Sequence, residues 1–298
     1  MQLTHFLMLA GVLGAAAHPS GHAHLHRSAH AKRAGDQVHV KNVHTKTIPK
    51  PTPSPSPTTT TTSAAAAAPT LSEGTQSSQS NAFIAFCGGT STPSSKAKRV
   101  TTAQIMYTGN TGTNNGCTWN SNLMQVPNNI ADQYEYVQKY TNVASTPYQV
   151  VCANKMGADG QLTGMFKVAG QQQLVFTLQP GETKTVVADT NTQGVCAFAP
   201  NEVPTTTYGQ YAGVWAEFDF ANASNKGWSG ADCSSLVAQA YSMDVPGCRM
   251  SHAGVDSTIL PGGQGTNAYT KGMEALDGIG LNIVAGNTVI EVKVGFSG

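Results

Sequence analysis

The chain has 298 residues, a formal charge of +1 and only 11% charged side chains, with 31 glycines, 15 prolines and six cysteines. So little charge excludes a nucleic-acid footprint, and no apolar run behind the N-terminus reaches the roughly 20 residues of a membrane helix. The near-neutral total hides an asymmetry: the first 81 residues hold six basic and two acidic side chains, the remaining 217 hold eleven and fourteen, so a basic arm precedes a mildly acidic domain.

Residues 1–17 read as a signal peptide. Phe6 to Ala17 is apolar, and Ala15 and Ala17 give a small-residue cleavage signature before His18. Residues 18–33 form a His-rich pro-segment. His18, His22, His24, His26 and His30 lead to Lys32-Arg33, a dibasic processing pair. Cleavage there starts the mature chain at Ala34 and discards the imidazoles; if retained, they suit zinc or copper capture. Residues 34–80 form a stalk whose centre, PKPTPSPSPTTTTTSAAAAAP, has nothing to bury. Alternating Pro favours extended polyproline II, and Ser, Thr and Pro together suit O-glycosylation. The arm as a whole is expected to be disordered.

The domain spans residues 81–298 and is long enough to bury roughly 70% of its unfolded surface. Its segments read as strands. Tyr148 to Cys152 (YQVVC) is β-branched and aromatic, and Gly157 to Gly160 supplies a turn. Leu174 to Leu178 (LVFTL) reads as a buried strand and, through the Pro180-Gly181 turn, is expected to make a hairpin with Thr183 to Ala188 (TKTVVA). Tyr211 to Phe220 alternates late in its run: Trp215, Glu217 and Asp219 share one sheet face, and Ala216, Phe218 and Phe220 share the other. Ser234 to Tyr241 is a short strand or a helical turn. Val289 to Phe296 closes the chain as a strand with Glu291 and Lys293 outward. The fold class is mainly β, most simply a sandwich.

All six cysteines, Cys87, Cys117, Cys152, Cys196, Cys233 and Cys248, lie in this domain. An even count behind a leader implies up to three disulfides, with the pairing open. No CxxC and no Cys/His spacing fits zinc, so no metal or other cofactor is expected from the domain. Asn222-Ala223-Ser224 is a glycosylation sequon.

Glu217, Asp219 and Asp232 cluster in strand-and-turn motifs beside Trp215 and Trp228. Glycosidases need two carboxyl groups across the scissile bond, one protonated and one ionised, and tryptophans stack on sugar rings. The plainer reading makes Glu217 and Asp219 the wet side of an edge strand and the tryptophans packing residues. Gly227-Trp228-Ser229-Gly230 is not a nucleophile elbow, and His252, the one histidine of the domain, reads as a loop residue. Gly262-Gly263-Gln264-Gly265 and Gly278-x-Gly280 lack the strand-then-helix context of a phosphate loop.

Several strings resemble known proteins. NKMGADGQLTG at 154–164, GETK at 181–184, GVWAEFDF at 213–220, GWSG at 227–230, His252-Ala253-Gly254, Ala268-Tyr269-Thr270 and Asp277-Gly278-Ile279-Gly280 resemble the secreted fungal allergen family typified by the fourth-numbered Aspergillus fumigatus allergen. That likeness runs from about Thr101 to the C-terminus and implies an extracellular protein bound by host IgE, with no assigned activity. A second resemblance, from about Tyr148 to Phe296, is to thaumatin-like proteins, carried by LQPGET at 178–183, Ala216-Glu217-Phe218, Asp232-x-Ser234 with Asp244-Val245-Pro246, and Gly286-Asn287-Thr288. It implies a thaumatin-like β-sandwich with disulfide-stapled loops and an acidic cleft facing β-glucan, here Glu217, Asp232 and, more loosely, Asp277. Those proteins carry more cysteines, and no counterpart of their cleft arginine is evident.

The expectation that follows is a secreted, non-catalytic protein associated with cell-wall glycan, with β-glucan and host IgE as partners and neither nucleic acid nor membrane. The alternatives are a β-glucan hydrolase using Glu217 and Asp232, and metal scavenging by the His-rich arm.

Overall fold

The computed structural model describes residues 81–88 and 107–298. The expected leader ending at Ala17, the expected pro-segment closing on Lys32 and Arg33, the histidines that metal capture would use and the expected stalk lie outside the described residues.

The strands are β1 (Leu123–Val126), β2 (Tyr136–Asn142), β3 (Tyr148–Asn154), β4 (Leu174–Leu178), β5 (Thr183–Ala188), β6 (Thr192–Pro200), β7 (Val214–Asn222), β8 (Trp228–Ser234), β9 (Cys248–His252), β10 (Val255–Ile259), β11 (Gly265–Thr266), β12 (Leu281–Ile283) and β13 (Thr288–Val294). One short helix, α1 (Leu236–Ala240), follows β8, so the ambiguous 234–241 stretch divides into a strand end and a helical turn. The strands form two sheets, ordered β1-β5-β2-β13-β9-β10-β11 and β12-β8-β7-β6-β3-β4. The pairing of β13 with β2 is parallel, and the other ladders are antiparallel. The domain is the mainly β, two-sheet sandwich that the strand patterns predict.

Alternation fills the space between the sheets. Tyr140, Val186, Met250, Ile290, Val292 and Val294 point inward from one sheet, and Val150, Phe198, Ala216, Phe218, Phe220 and Ala231 from the other. Each of the large apolar side chains so buried stabilises the fold by roughly 1.5–3 kcal/mol before ordering costs. On β13 the outward set is Val289, Glu291 and Lys293, with Glu291 3.5 Å from Lys139 across the parallel pairing.

The expected hairpin of Leu174–Leu178 with Thr183–Ala188 does not form. The turn is present, with Glu182 N–H donating to the Gln179 carbonyl at 2.9 Å, but β4 pairs with β3 and β5 pairs with β1 and β2. The chain crosses between sheets here because both strands bury an apolar side toward the same core. Asn142 holds the crossing: its backbone bonds Gly181 and Glu182, and its Nδ2 donates to the Leu178 carbonyl at 3.0 Å. Nor is β4 fully buried. It is an edge strand with Val175 half exposed.

The six cysteines pair as Cys87–Cys117, Cys152–Cys196 and Cys233–Cys248. Cys87–Cys117 staples two loops. Cys152 and Cys196 are opposed residues of β3 and β6. Cys233 on β8 and Cys248 on β9 bolt one sheet to the other through the core.

Candidate functional site

The outer face of the second sheet carries the unusual chemistry, and strand register sets it out in rows. Ala153, Val195, Glu217 and Asp232 form one row across β3, β6, β7 and β8. The next row holds Gln193 and Asp219, extended by Lys155, whose N–H donates to the Gln193 carbonyl at 2.9 Å just past the end of β3. On the other side lies the row Val151, Ala197, Trp215 and Ser234.

Glu217 and Asp232 therefore face the same way from directly paired positions, which places their Cβ atoms about 4.5–5.5 Å apart. Asp219 lies two residues along β7 on that face. The plainer sequence reading, a wet edge strand, is corrected: β7 is interior to its sheet, and Glu217, Asp219 and Asp232 are 0%, 2% and 1% exposed. A charge so removed from water demands partners. Lys155, itself buried, is one: burial lowers its pKa, and the charges of Asp219 and then Glu217 oppose that shift. Its Nζ donates to Gln193 Oε1. Tyr269, parallel-bridged beside Ser234, adds a phenol. Burial raises the Tyr269 pKa first, then the charge of Asp232. Gly280 closes the edge: a Cβ there would lie 2.5 Å from the Ala231 carbonyl oxygen and 2.7 Å from Asp232 Cβ, at a φ of +107° that disfavours side chains in any case.

The other sequence candidates separate from this cluster. Trp215 is not available for sugar stacking. It is 1% exposed, packs with Val151, Ala197, Met165 and Val237, and its indole N–H donates to the Tyr211 carbonyl at 3.1 Å. Trp228, half-buried at the start of β8, sits opposite Asn222 and four residues from Asp232 along the strand. Asp277 is exposed in the loop before β12 and contributes charge near Tyr269. Ser229 Oγ accepts the Ala221 N–H, and His252 Nδ1 meets the Val289 carbonyl, so neither is arranged as a nucleophile with its base.

Asn222, the sequon residue, is built into the fold by its side chain. Its Oδ1 accepts the N–H groups of Ser224 and Asn225, which fixes the amide orientation, and its Nδ2 donates to Asp219 Oδ2 at 2.6 Å. The nitrogen that would carry the glycan is buried against a carboxylate. Sequence reasoning also missed Lys155 and Gln193. The alternation Val151, Ala153, Lys155 continues the outer-face set by one step, and that signal was legible behind the Gly157–Gly160 turn.

A second feature lies at one end of the sandwich. A groove of about 510 Å³ is lined by Tyr148, Pro200, Pro204, Pro246 and Pro261, with Glu202 and Asp244 among its walls. Both carboxylates are exposed, and the proline rings give it stiff apolar walls. Its size falls within the usual 300–1,000 Å³ or so of small-molecule sites.

Among the described residues no helix is long and apolar enough to cross a membrane, and no group of three or more His, Cys, Asp or Glu side chains is placed to hold a metal ion. Among solved structures, the protein elicitor MoHrip2 from Magnaporthe oryzae is similar at 15% identity and a TM-score of 0.34, over 54% of this chain and 99% of that one. The thaumatin-like xylanase inhibitor TLXI is similar at 12% identity and a TM-score of 0.32, over 53% and 97%. The chain is 36% identical over 196 residues to Allergen Asp f 4 of Aspergillus fumigatus, covering 64% of this chain and 59% of the length of that relative. Residues 121–294, more than half of the chain, match the Allergen Asp f 4-like domain, and the protein belongs to that family.

Proposed function

We propose that the protein is secreted and associates non-catalytically with fungal cell-wall polysaccharide through the proline-walled groove, and that it is bound by IgE of sensitised hosts. The observation that carries the non-catalytic part is the burial of Glu217 and Asp232, since an acid pair must reach the glycosidic oxygen and the anomeric carbon to act. The groove supports the binding part: Glu202 and Asp244 accept bonds from sugar hydroxyls while proline rings pack on the apolar sugar face. Three disulfides suit an oxidising extracellular compartment.

Sedimentation with insoluble β-1,3-glucan tests this. Binding is expected for the wild type, unchanged in Glu217→Gln and at least tenfold weaker in Glu202→Gln/Asp244→Asn. Failure of the wild type to sediment would refute it. The opposed register of Glu217 and Asp232 favours one second reading, hydrolysis of the glucan. Release of reducing sugar that Glu217→Gln abolishes would establish it.

A further inference from the structure

Lys155 and Gln193 bring together a buried amine and a carboxamide. They are cross-strand neighbours on the outer face, 2% and 3% exposed. Lys155 Nζ lies 2.5 Å from Gln193 Oε1, one bond short of the carboxamide carbon. Asp219 stands opposite Gln193 on β7, and Glu217 lies two residues before it on the same face. The other end of the amide is also distinctive. Gln193 Nε2 is buried and has no hydrogen-bond partner among the described residues. Its neighbour there is Gly109, where a Cβ would come within 3.8 Å of that nitrogen.

We propose that Lys155 and Gln193 join in an autocatalytic intramolecular isopeptide bond, with Asp219 moving the proton. The Lys155 ammonium gives a proton to the Asp219 carboxylate, and the neutral Nζ attacks Cδ of Gln193. The new N–C bond forms as the carbonyl π pair moves onto Oε1. The pair returns, the Cδ–Nε2 bond breaks, and Nε2 leaves with the proton that Asp219 holds and the one that Nζ sheds. An ammonium and a carboxamide become a secondary amide and an ammonium ion, so atoms and charge balance and no oxidant or cofactor is required.

Three features favour the step. Burial lowers the Lys155 pKa, which raises the share of nucleophilic amine. Fixed placement on adjacent strands makes the attack unimolecular, which is worth many orders of magnitude in effective concentration. Exclusion of water suppresses the competing hydrolysis of the amide. The product ties β3 to β6 through side chains and closes a span of 38 residues. It would add a staple that reductant does not open.

The test is intact mass and peptide mapping of the full secreted chain after disulfide reduction. The wild type is expected to be lighter than its processed sequence by one ammonia. Its map is expected to show no tryptic cut after Lys155 and a branched peptide joining the Lys155 and Gln193 segments. Lys155→Arg and Gln193→Leu are expected to restore the full mass and to run slower on reducing gels, and Asp219→Asn to slow cross-linking at least tenfold. Separate, unbranched Lys155 and Gln193 peptides from the wild type would overturn the proposal, whether or not the variants fold.

Discussion

Glu217 and Asp232 stand directly opposite each other on β7 and β8, on the same sheet face, and both are closed off from solvent. Water-soluble carbodiimide should separate these acids from the rest. Glu202, Asp244 and Asp277 are exposed and are expected to label quickly. Glu217, Asp219 and Asp232 are expected to label only when the domain is unfolded. Peptide mapping reads both sets, and equal labelling of Glu217 and Glu202 in the native protein would show that the face is open.

The contrast marks what the sequence could and could not convey. Period-two alternation made the two sides of β7 and of β13 legible, because side-chain direction is a local property. The β-rich fold followed from the same patterns. Burial of the acids was not legible, since it depends on partners remote in sequence. Trp215 is enclosed by Met165 and Val237, and Lys155 reaches the acids from the end of another strand. The failed β4–β5 hairpin has the same cause. A turn dipeptide fixes a reversal, but the crossing between sheets depends on the core that both strands face and on Asn142, far upstream, which holds it.

The sequon at Asn222 is expected to be empty in folded protein. Its Nδ2 is committed to Asp219 and its Oδ1 caps the turn at Ala223–Asn225. Enzymatic removal of N-glycans should leave the mass of the domain, expressed in a glycosylating host, unchanged. Asn222→Ala is expected to cost about 1–3 kcal/mol, because the buried Asp219 loses a donor. A natively folded fraction bearing glycan on Asn222 would contradict the packing.

Gly280→Ala is expected to destabilise the domain by more than about 1 kcal/mol. The added methyl would meet backbone at Ala231 and the Asp232 side chain, and its φ lies in the left-handed half of backbone space. Gly254→Ala is a control with positive φ but open space around it, so its smaller loss gives the cost of conformation alone. Equal denaturant midpoints for the two variants would remove the steric argument at Asp232.

The three disulfides should open in a fixed order. Cys87 is exposed and Cys117 partly so, whereas Cys152, Cys196, Cys233 and Cys248 are fully buried. Mild reductant with timed alkylation is expected to label Cys87 and Cys117 first while the domain stays folded. Cys233→Ser/Cys248→Ser is expected to cost about 2–5 kcal/mol, since that bridge ties the two sheets together. Early labelling of Cys233 would place the bolt at the surface.

Alkaline pH should expose the buried phenols. Burial holds the Tyr140 pKa well above its ordinary value of 10.0, and the hydroxyl donates to Gln138 Oε1 at 2.6 Å. Tyr269 is raised as well, by burial and then by Asp232. Above pH 10.0 the unfolded chain gives up these protons while the folded chain keeps them. The folded state then binds more protons, and stability falls as pH rises. The contribution is intact below pH 10.0 and is lost progressively above it, toward the raised folded values. Tyr140→Phe removes a hydrogen bond and is expected to cost about 1 kcal/mol at neutral pH. It also removes one titrating group, so its denaturant midpoint should approach that of the wild type as pH climbs past 10.0. Near-ultraviolet absorbance offers an independent reading: the exposed tyrosines among the nine should ionise first, and Tyr140 and Tyr269 only as the domain unfolds. A wild-type and Tyr140→Phe gap that stays constant through the alkaline range would show that the Tyr140 phenol titrates as if solvated.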